Sequence, residues 1–153
     1  LHKEYRRQRQ MCIRDSLITM PGIAYYCGSK FALQGISEVM RAEMAPFGVH
    51  VTALCPGSFR TDWAGRSMVR TERLIGEYDS LFDPIREARR KKHGAQPGDL
   101  EKLAEAVLTL VMSQNPPPQL LLGSDALGLV RHRLQAMLSE IDDWENLTRS
   151  TDG

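Results

Sequence analysis

The sequence lacks the features of a membrane-spanning, disulfide-bonded or nucleic-acid-binding protein. No apolar run approaches the ~20 residues that a membrane-spanning helix requires, and no CxxC pair or Cys/His cluster has the spacing of a metal site. The odd number of cysteines, three, favours a reducing compartment and therefore a cytoplasmic location. The 20 Lys and Arg residues nearly balance the 19 Asp and Glu residues, so the charge indicates neither a nucleic-acid nor a membrane partner.

The remaining features are typical of a single globular α/β domain. Apolar residues recur at helical spacing from Ala24 to Ala45, and the sequence PFG at 46–48 is typical of a helix end, because proline cannot continue a helix. The short β-branched run from Val49 to Cys55 is typical of a strand that is buried on both faces of a parallel sheet. A helix followed by a buried strand is therefore predicted for this part of the chain.

The second half of the chain continues this alternation. Residues 58–93 are charged with scattered large apolar side chains, and we predict that they form the short helices of a flap. Asp99 is a favourable N-cap for a helix that reaches about Ser113. A short apolar strand is predicted at 119–122, and a last helix then reaches about Glu140. The order of helices and strands predicts an α/β fold with parallel strands.

The first sixteen residues differ from the rest of the chain. Residues 1–16 are basic and polar, and they show neither a helical nor an alternating period. Residues 11–16 read MCIRDS, which resembles the translation of one reading frame of a common sequencing adapter. We therefore predict that residues 1–16 are a non-native or disordered segment and that residues 17–153 form the domain.

Tyr26 and Lys30 form the pattern with the clearest chemical meaning. They are four residues apart near a helix start and share a face of the helix, so the ammonium group can approach the phenol. A nearby cation favours the ionised phenol, and such a tyrosine can act as a general acid/base. Tyr25 is the rival, but the residue four positions after it, Ser29, carries no charge. An ordinary surface pair is the alternative, because YxxxK spacing also arises by chance.

The sequence around this pair supplies its context. Residues 21–62 read PGIAYYCGSKFALQGISEVMRAEMAPFGVHVTALCPGSFRTD. This segment resembles the catalytic helix and the following strand of the short-chain dehydrogenases/reductases, and within that family it is most similar to the 17β-hydroxysteroid-dehydrogenase-like branch. The resemblance continues in order from Leu17 to about Gly123. It implies the C-terminal half of a Rossmann-like, doubly wound parallel sheet.

The resemblance also implies a reaction and a set of site residues. The reaction is hydride transfer between NAD or NADP and a small carbonyl or alcohol substrate, with Tyr26 as the acid/base and Lys30 holding the ribose hydroxyls of the nicotinamide half. The residues implied on the nicotinamide side of the cofactor are Pro56, Gly57, Phe59 and Thr61. The intact protein is expected to form a homo-oligomer.

Two departures from the family pattern leave alternatives open. The Gly-rich phosphate loop, TGxxxGxG, has no counterpart in the sequence, so the choice between NAD and NADP is open. The catalytic serine of the family, thirteen residues before the tyrosine, corresponds to Ile13. The chain is then either a fragment of an oxidoreductase that is inactive alone, or an inactive fragment or pseudoenzyme that acts as an interaction module. Coding DNA upstream of Leu17 that supplied the loop and the serine would favour the first hypothesis.

Overall fold

A computed structural model describes residues 8–11 (as backbone only), 17–61, 75–92 and 94–153 of the protein. In chain order the helices and strands are β1 (Gln8–Met11), α1 (Ala24–Met44), β2 (Val51–Pro56), α2 (Asp79–Lys92), α3 (Leu100–Met112), β3 (Gln119–Leu122), α4 (Ser124–Asp143) and α5 (Glu145–Arg149). Short 3-10 helices lie at Ala45–Phe47 and Gly76–Tyr78. No helix in these described ranges is long and apolar enough to cross a bilayer.

The three strands form one parallel sheet in the order β1-β2-β3. The central strand, β2, pairs with β1 from Val51 to Leu54 and with β3 from Ala53 to Pro56. Its residues Val51, Ala53 and Cys55 are almost fully buried, as expected for a strand between two neighbours with helices over the sheet. The predicted α/β architecture with parallel pairing of β2 and β3 is therefore confirmed.

Side chains of α1 tie this helix to the sheet. Cys27, Gln34 and Ser37 are its buried residues and lie at helical spacing on the inner face. The Arg41 guanidinium group donates a hydrogen bond to the Val51 carbonyl oxygen at 3.2 Å, at the start of β2. The observed helix ends one residue before the predicted end at Ala45, where the chain tightens into a 3-10 turn.

The C-terminal half also follows the predicted alternation. Asp99 caps α3, since its Oδ1 accepts hydrogen bonds from the backbone N–H groups of Glu101 and Lys102 at 2.8 and 3.3 Å. β3 has the predicted bounds, and α4 continues three residues beyond the predicted end at Glu140. In the predicted flap, α2 is one helix of 14 residues with Pro84 inside it, whereas residues 62–74 lie outside the described part of the chain.

The Asp99 cap makes a testable contribution to stability. Hydrogen bonds from the Lys102 and Glu101 N–H groups hold the pKa of this carboxyl group below its usual range, with a smaller contribution from the charge of Arg60. Because the folded-state pKa is depressed, the stabilisation is present above the unfolded pKa of ~3.9 and is lost as the pH falls through the lower folded value. At neutral pH the Asp99→Asn chain should therefore be less stable than the wild type. In acid, where the wild-type carboxylate is protonated, the two chains should be equally stable.

Urea unfolding of the wild-type and Asp99→Asn chains across the acid range measures this difference. Asparagine is also a good N-cap, so the comparison isolates the charge of the carboxylate. Asp152→Asn, an exposed change near the C-terminus, is the control and should leave the unfolding midpoint unchanged. A deficit of Asp99→Asn that stays constant from neutral to acid pH would contradict the role given to the charge.

Strand β1 lies within the first sixteen residues. The sequence predicts a non-native or disordered segment at 1–16, but Gln8–Met11 pairs with β2 in parallel, Gln8 opposite Val51 and Met11 opposite Leu54. The edge of β2 offers backbone groups that can accept a neighbouring strand. The assignment of residues 1–16 as a non-native or disordered segment stays a prediction, and Ile13 lies outside the described residues.

Candidate active site

Tyr26 and Lys30 lie together in the first turns of α1. The Lys30 Nζ atom is 5.6 Å from the centroid of the Tyr26 ring, within the ~6 Å range of a cation–π contact. The Tyr26 side chain is half-buried and its phenol oxygen is buried, whereas Tyr25 is 97% exposed. The two tyrosines therefore differ in burial, and Tyr26 is the one that has a cation, Lys30, beside its ring.

Backbone and side-chain hydrogen bonds fix the start of α1, on which this pair depends. The Cys27 N–H donates to the Ile23 carbonyl oxygen at 2.9 Å, and the Ser29 hydroxyl donates to the Tyr26 carbonyl oxygen at 2.7 Å. Gly22, in the turn that precedes the helix, has a φ of +81°, a conformation that favours glycine. These contacts hold the four-residue spacing of the phenol and the ammonium group on a regular helix.

An open cleft of about 460 Å³ adjoins the same part of α1. Its lining residues are Thr19, Met20, Pro21, Ala24, Cys27, Gly28 and Phe31. Most of this lining is apolar, and it includes the residue that follows Tyr26 but not Tyr26 itself. The cleft can therefore receive an apolar group next to the helix turn that carries the phenol.

Helix α2, from the predicted flap, contacts the turn at the edge of this cleft. The Arg89 guanidinium group donates a hydrogen bond to the Pro21 carbonyl oxygen at 3.2 Å. The Phe82 ring is so close to Gly22 that a Cβ atom on the glycine would lie 3.0 Å from it. The described part of the flap thus reaches the segment that leads into α1.

The loop after β2 leaves the sheet at the carboxyl ends of the parallel strands, where ligands bind in open α/β sheets. Pro56 is the last residue of β2, and the Gly57 N–H donates to the Leu122 carbonyl oxygen at 2.7 Å. The Ser58 N–H donates to Asp125 Oδ2 at 2.9 Å. Since α1 follows β1, which is parallel to β2, the chain enters α1 from this same edge of the sheet.

Phe59 and Thr61, also predicted on the nicotinamide side, lie further along this loop. Phe59 forms an isolated parallel bridge with Gly98, and a Cβ atom on that glycine would lie 2.5 Å from the Phe59 ring. The Gly98 N–H donates to the Ser58 carbonyl oxygen at 3.0 Å. Phe59 is therefore anchored to the segment before α3, and Thr61 is exposed just before residues 62–74.

The sequence did not predict that Asp125 contacts the loop after β2, since a carboxylate at a helix start is ordinarily interpreted as a cap of that helix. Its carboxylate instead reaches the β2 loop, and a Cβ atom at Gly57 would overlap it. Gly123, with a φ of +100°, places the start of α4 close to the same loop. The available sequence signal was the two glycines, at 57 and 123, each of which directly follows a strand.

Known proteins are similar to this chain in sequence and in fold. The short chain dehydrogenase family model matches residues 12–71. The oxidoreductase BOA17 of Botryotinia fuckeliana is 33% identical over 131 residues, which cover 86% of this chain and 47% of that protein. The uncharacterized oxidoreductase C162.03 of Schizosaccharomyces pombe is 31% identical over 133 residues, which cover 86% of this chain and 44% of that protein.

A solved structure gives the comparison for the fold. The crystal structure of a short-chain dehydrogenase from Streptomyces avermitilis matches with a TM-score of 0.84 at 28% sequence identity, covering 96% of this chain and 53% of that one. This chain spans about half the length of the curated relatives that it matches. The sequence matches and the shared fold lead to one conclusion: the chain is similar to the short-chain dehydrogenases both in sequence and in fold.

Proposed function

We propose that this chain is the C-terminal catalytic half of an oxidoreductase that transfers a hydride between NAD or NADP and a carbonyl or alcohol substrate. The observation that carries the proposal is the buried phenol oxygen of Tyr26 with the Lys30 ammonium group 5.6 Å from its ring. Similarity to the short-chain dehydrogenases supports the class of reaction. The exposure of Tyr25 supports Tyr26 as the acid/base.

The chemical role of Tyr26 is to move one proton at the substrate oxygen. In carbonyl reduction the phenol donates its proton to the oxygen that becomes the alcohol, and in alcohol oxidation the phenolate accepts it. The positive charge of Lys30 favours the phenolate, because an opposite charge nearby stabilises the ionised form. The apolar cleft beside α1 offers room for the carbon skeleton of a substrate.

The residues of this chain fit one end of a nicotinamide dinucleotide. The Lys30 ammonium group offers three donors and is suited to the ribose hydroxyls, as the family resemblance implies. Residues 56–61 form the loop at the carboxyl ends of the strands, the position at which related folds hold dinucleotides. When bound, the cofactor supplies the hydride chemistry. Contacts to its pyrophosphate require a Gly-rich loop at a helix start, which the sequence lacks.

Cofactor titration tests this division of the binding site. We expect the isolated chain to bind neither NADH nor NADPH at micromolar concentration, because it holds the nicotinamide end but lacks the pyrophosphate contacts. A longer protein that adds the Gly-rich loop should bind one of them. Titration followed by cofactor fluorescence measures both. Saturable micromolar binding by the isolated chain would contradict the proposal that the phosphate contacts lie elsewhere.

The second hypothesis, an inactive fragment or pseudoenzyme acting as an interaction module, is less favoured. The two relatives described above carry the name oxidoreductase, and this chain retains the tyrosine and lysine side by side. The narrower expectations stay predictions: the 17β-hydroxysteroid-dehydrogenase-like branch, a cytoplasmic location and a homo-oligomeric intact protein. Activity of the longer protein with NADH or NADPH and a panel of carbonyl compounds distinguishes the two hypotheses.

A further inference from the structure

The backbone of Ser58 is held from two sides, directly before the residues predicted on the nicotinamide side of the cofactor. Its N–H group donates to Asp125 Oδ2 at 2.9 Å, at the start of α4. Its carbonyl oxygen accepts the Gly98 N–H at 3.0 Å, just before α3. Phe59 and Thr61 follow in the chain. The orientation of the peptide groups on either side of Ser58 therefore sets how the loop presents these residues.

The Asp125 carboxylate accepts the first N–H group that turns away from the sheet. Beyond β2, the Gly57 N–H still donates to the Leu122 carbonyl oxygen of β3 at 2.7 Å. The next N–H group, that of Ser58, bonds to the Asp125 side chain instead of to a strand. A hydrogen bond to a charged group is stronger than one between neutral groups. This side chain therefore determines where the loop leaves the sheet.

Two glycines make room for this carboxylate. A Cβ atom at Gly57 would overlap it, and a Cβ atom at Gly123 would lie 2.9 Å from Asp125 Oδ1. Gly123 also has a φ of +100°, which favours glycine and turns the chain into α4. The partial positive charge at the start of that helix favours an ionised carboxylate. The chain thus holds a charged acceptor directly against the loop.

The start of α4 is a well-packed base for Asp125. Ala126, the next residue, is fully buried, and Val130, about one turn further, is 4% exposed. The Leu127 N–H donates to the Gly123 carbonyl oxygen at 3.1 Å, which closes the first turn of the helix. Since the base is fixed by packing, the carboxylate transmits its position to the Ser58 backbone.

We infer that Asp125 is a positioning residue for the nicotinamide end of the cofactor. It acts through the Ser58 backbone, by holding the loop after β2 in the conformation that receives this end. A loop that is ordered in advance costs less free energy to order upon binding. The inference rests on the proposed function, which assigns this loop to the cofactor and gives Asp125 no role.

Hydrogen exchange at the Ser58 amide tests the contact in this chain without any cofactor. Asp125→Ala removes the acceptor, so the Ser58 amide should exchange at least ~10-fold faster than in the wild type. Asp125→Asn keeps an oxygen acceptor on a side chain of the same length, and its Ser58 amide should exchange at a rate between the two. NMR measures the rates. An exchange rate in Asp125→Ala equal to that of the wild type would overturn the inference.

Cofactor affinity tests the positioning role in a longer protein that adds the Gly-rich loop. Asp125→Ala should raise the dissociation constant of the preferred cofactor, NADH or NADPH, by ~10-fold, because the loop is no longer ordered before binding. Asp125→Asn should restore most of the affinity. Titration followed by cofactor fluorescence measures both. An Asp125→Asn variant that binds as weakly as Asp125→Ala would contradict a role through the hydrogen bond to Ser58.

Val130→Ala is the control for general destabilisation. It removes buried methyl groups from the same helix and should lower the urea unfolding midpoint, but it should leave the dissociation constant at the wild-type value. Equal losses of affinity in Val130→Ala and Asp125→Ala would overturn the inference. Unchanged affinity in Asp125→Ala would overturn it too and leave the proposed function intact. A longer wild-type protein that binds neither cofactor would contradict the proposed function itself, and this inference with it.

Discussion

Tyr26→Phe is expected to lower the turnover of the intact oxidoreductase by ~100-fold or more, the usual scale for the loss of a general acid/base. Phenylalanine keeps the ring that packs beside Lys30 but removes the hydroxyl group that moves the proton. Tyr25→Phe is the matched control, because it removes the same atom from a side chain that is 97% exposed, and turnover should stay near the wild-type value. Steady-state oxidation of NADH or NADPH measures kcat for both variants.

Lys30→Ala completes the test of the pair. Removing the ammonium group should lower kcat, since the phenolate loses the charge that favours it, and should also weaken cofactor binding if Lys30 holds the ribose. An equal loss of turnover in Tyr25→Phe and Tyr26→Phe would mean that the proton-transfer role had been assigned to the wrong phenol. A kcat of Tyr26→Phe equal to that of the wild type would contradict the role of Tyr26 as the acid/base, on which the proposed function rests.

Gly57→Ala should destabilise the fold by ~1–3 kcal/mol, the usual range for inserting atoms into a packed region. A Cβ atom at this position would overlap the Asp125 carboxylate, which accepts the Ser58 N–H at 2.9 Å. The loop after β2 or the start of α4 would have to shift, and the contact between them would be lost. Urea denaturation measures the change as a lower unfolding midpoint.

Gly128→Ala is the matched control for this substitution. A Cβ atom at Gly128, on the exposed surface of α4, would meet no other atom within 4 Å. Alanine is the better helix former by ~1 kcal/mol, so this change should leave the stability equal or raise it. Equal destabilisation by the two substitutions would indicate that the chain tolerates no change at glycine. The close approach of Asp125 to Gly57 would then not be the cause of the destabilisation by Gly57→Ala.

The sequence determined the elements whose patterns are local. Helical periodicity predicted α1 to within one residue at its end, and the β-branched run predicted β2 because a strand between two neighbours is apolar on both faces. Asp99 was predicted as a cap because its side chain bonds to N–H groups only two and three residues away. The proximity of Tyr26 to Lys30 was predicted for the same reason, since it depends on the spacing along a single helix.

Tertiary structure decided the contacts between segments that are distant in sequence. Three of the four β1 residues are polar, so their pairing with β2 had no apolar signal and rests on backbone hydrogen bonds, which any sequence can make. The reach of Asp125 to Ser58 spans 67 residues, and no local pattern records which loop lies beside a helix start. Apolar residues recur at helical spacing along α4, but this spacing does not say which turns of the helix the rest of the chain covers. Only the packing buried Val130 and left Ile141 exposed.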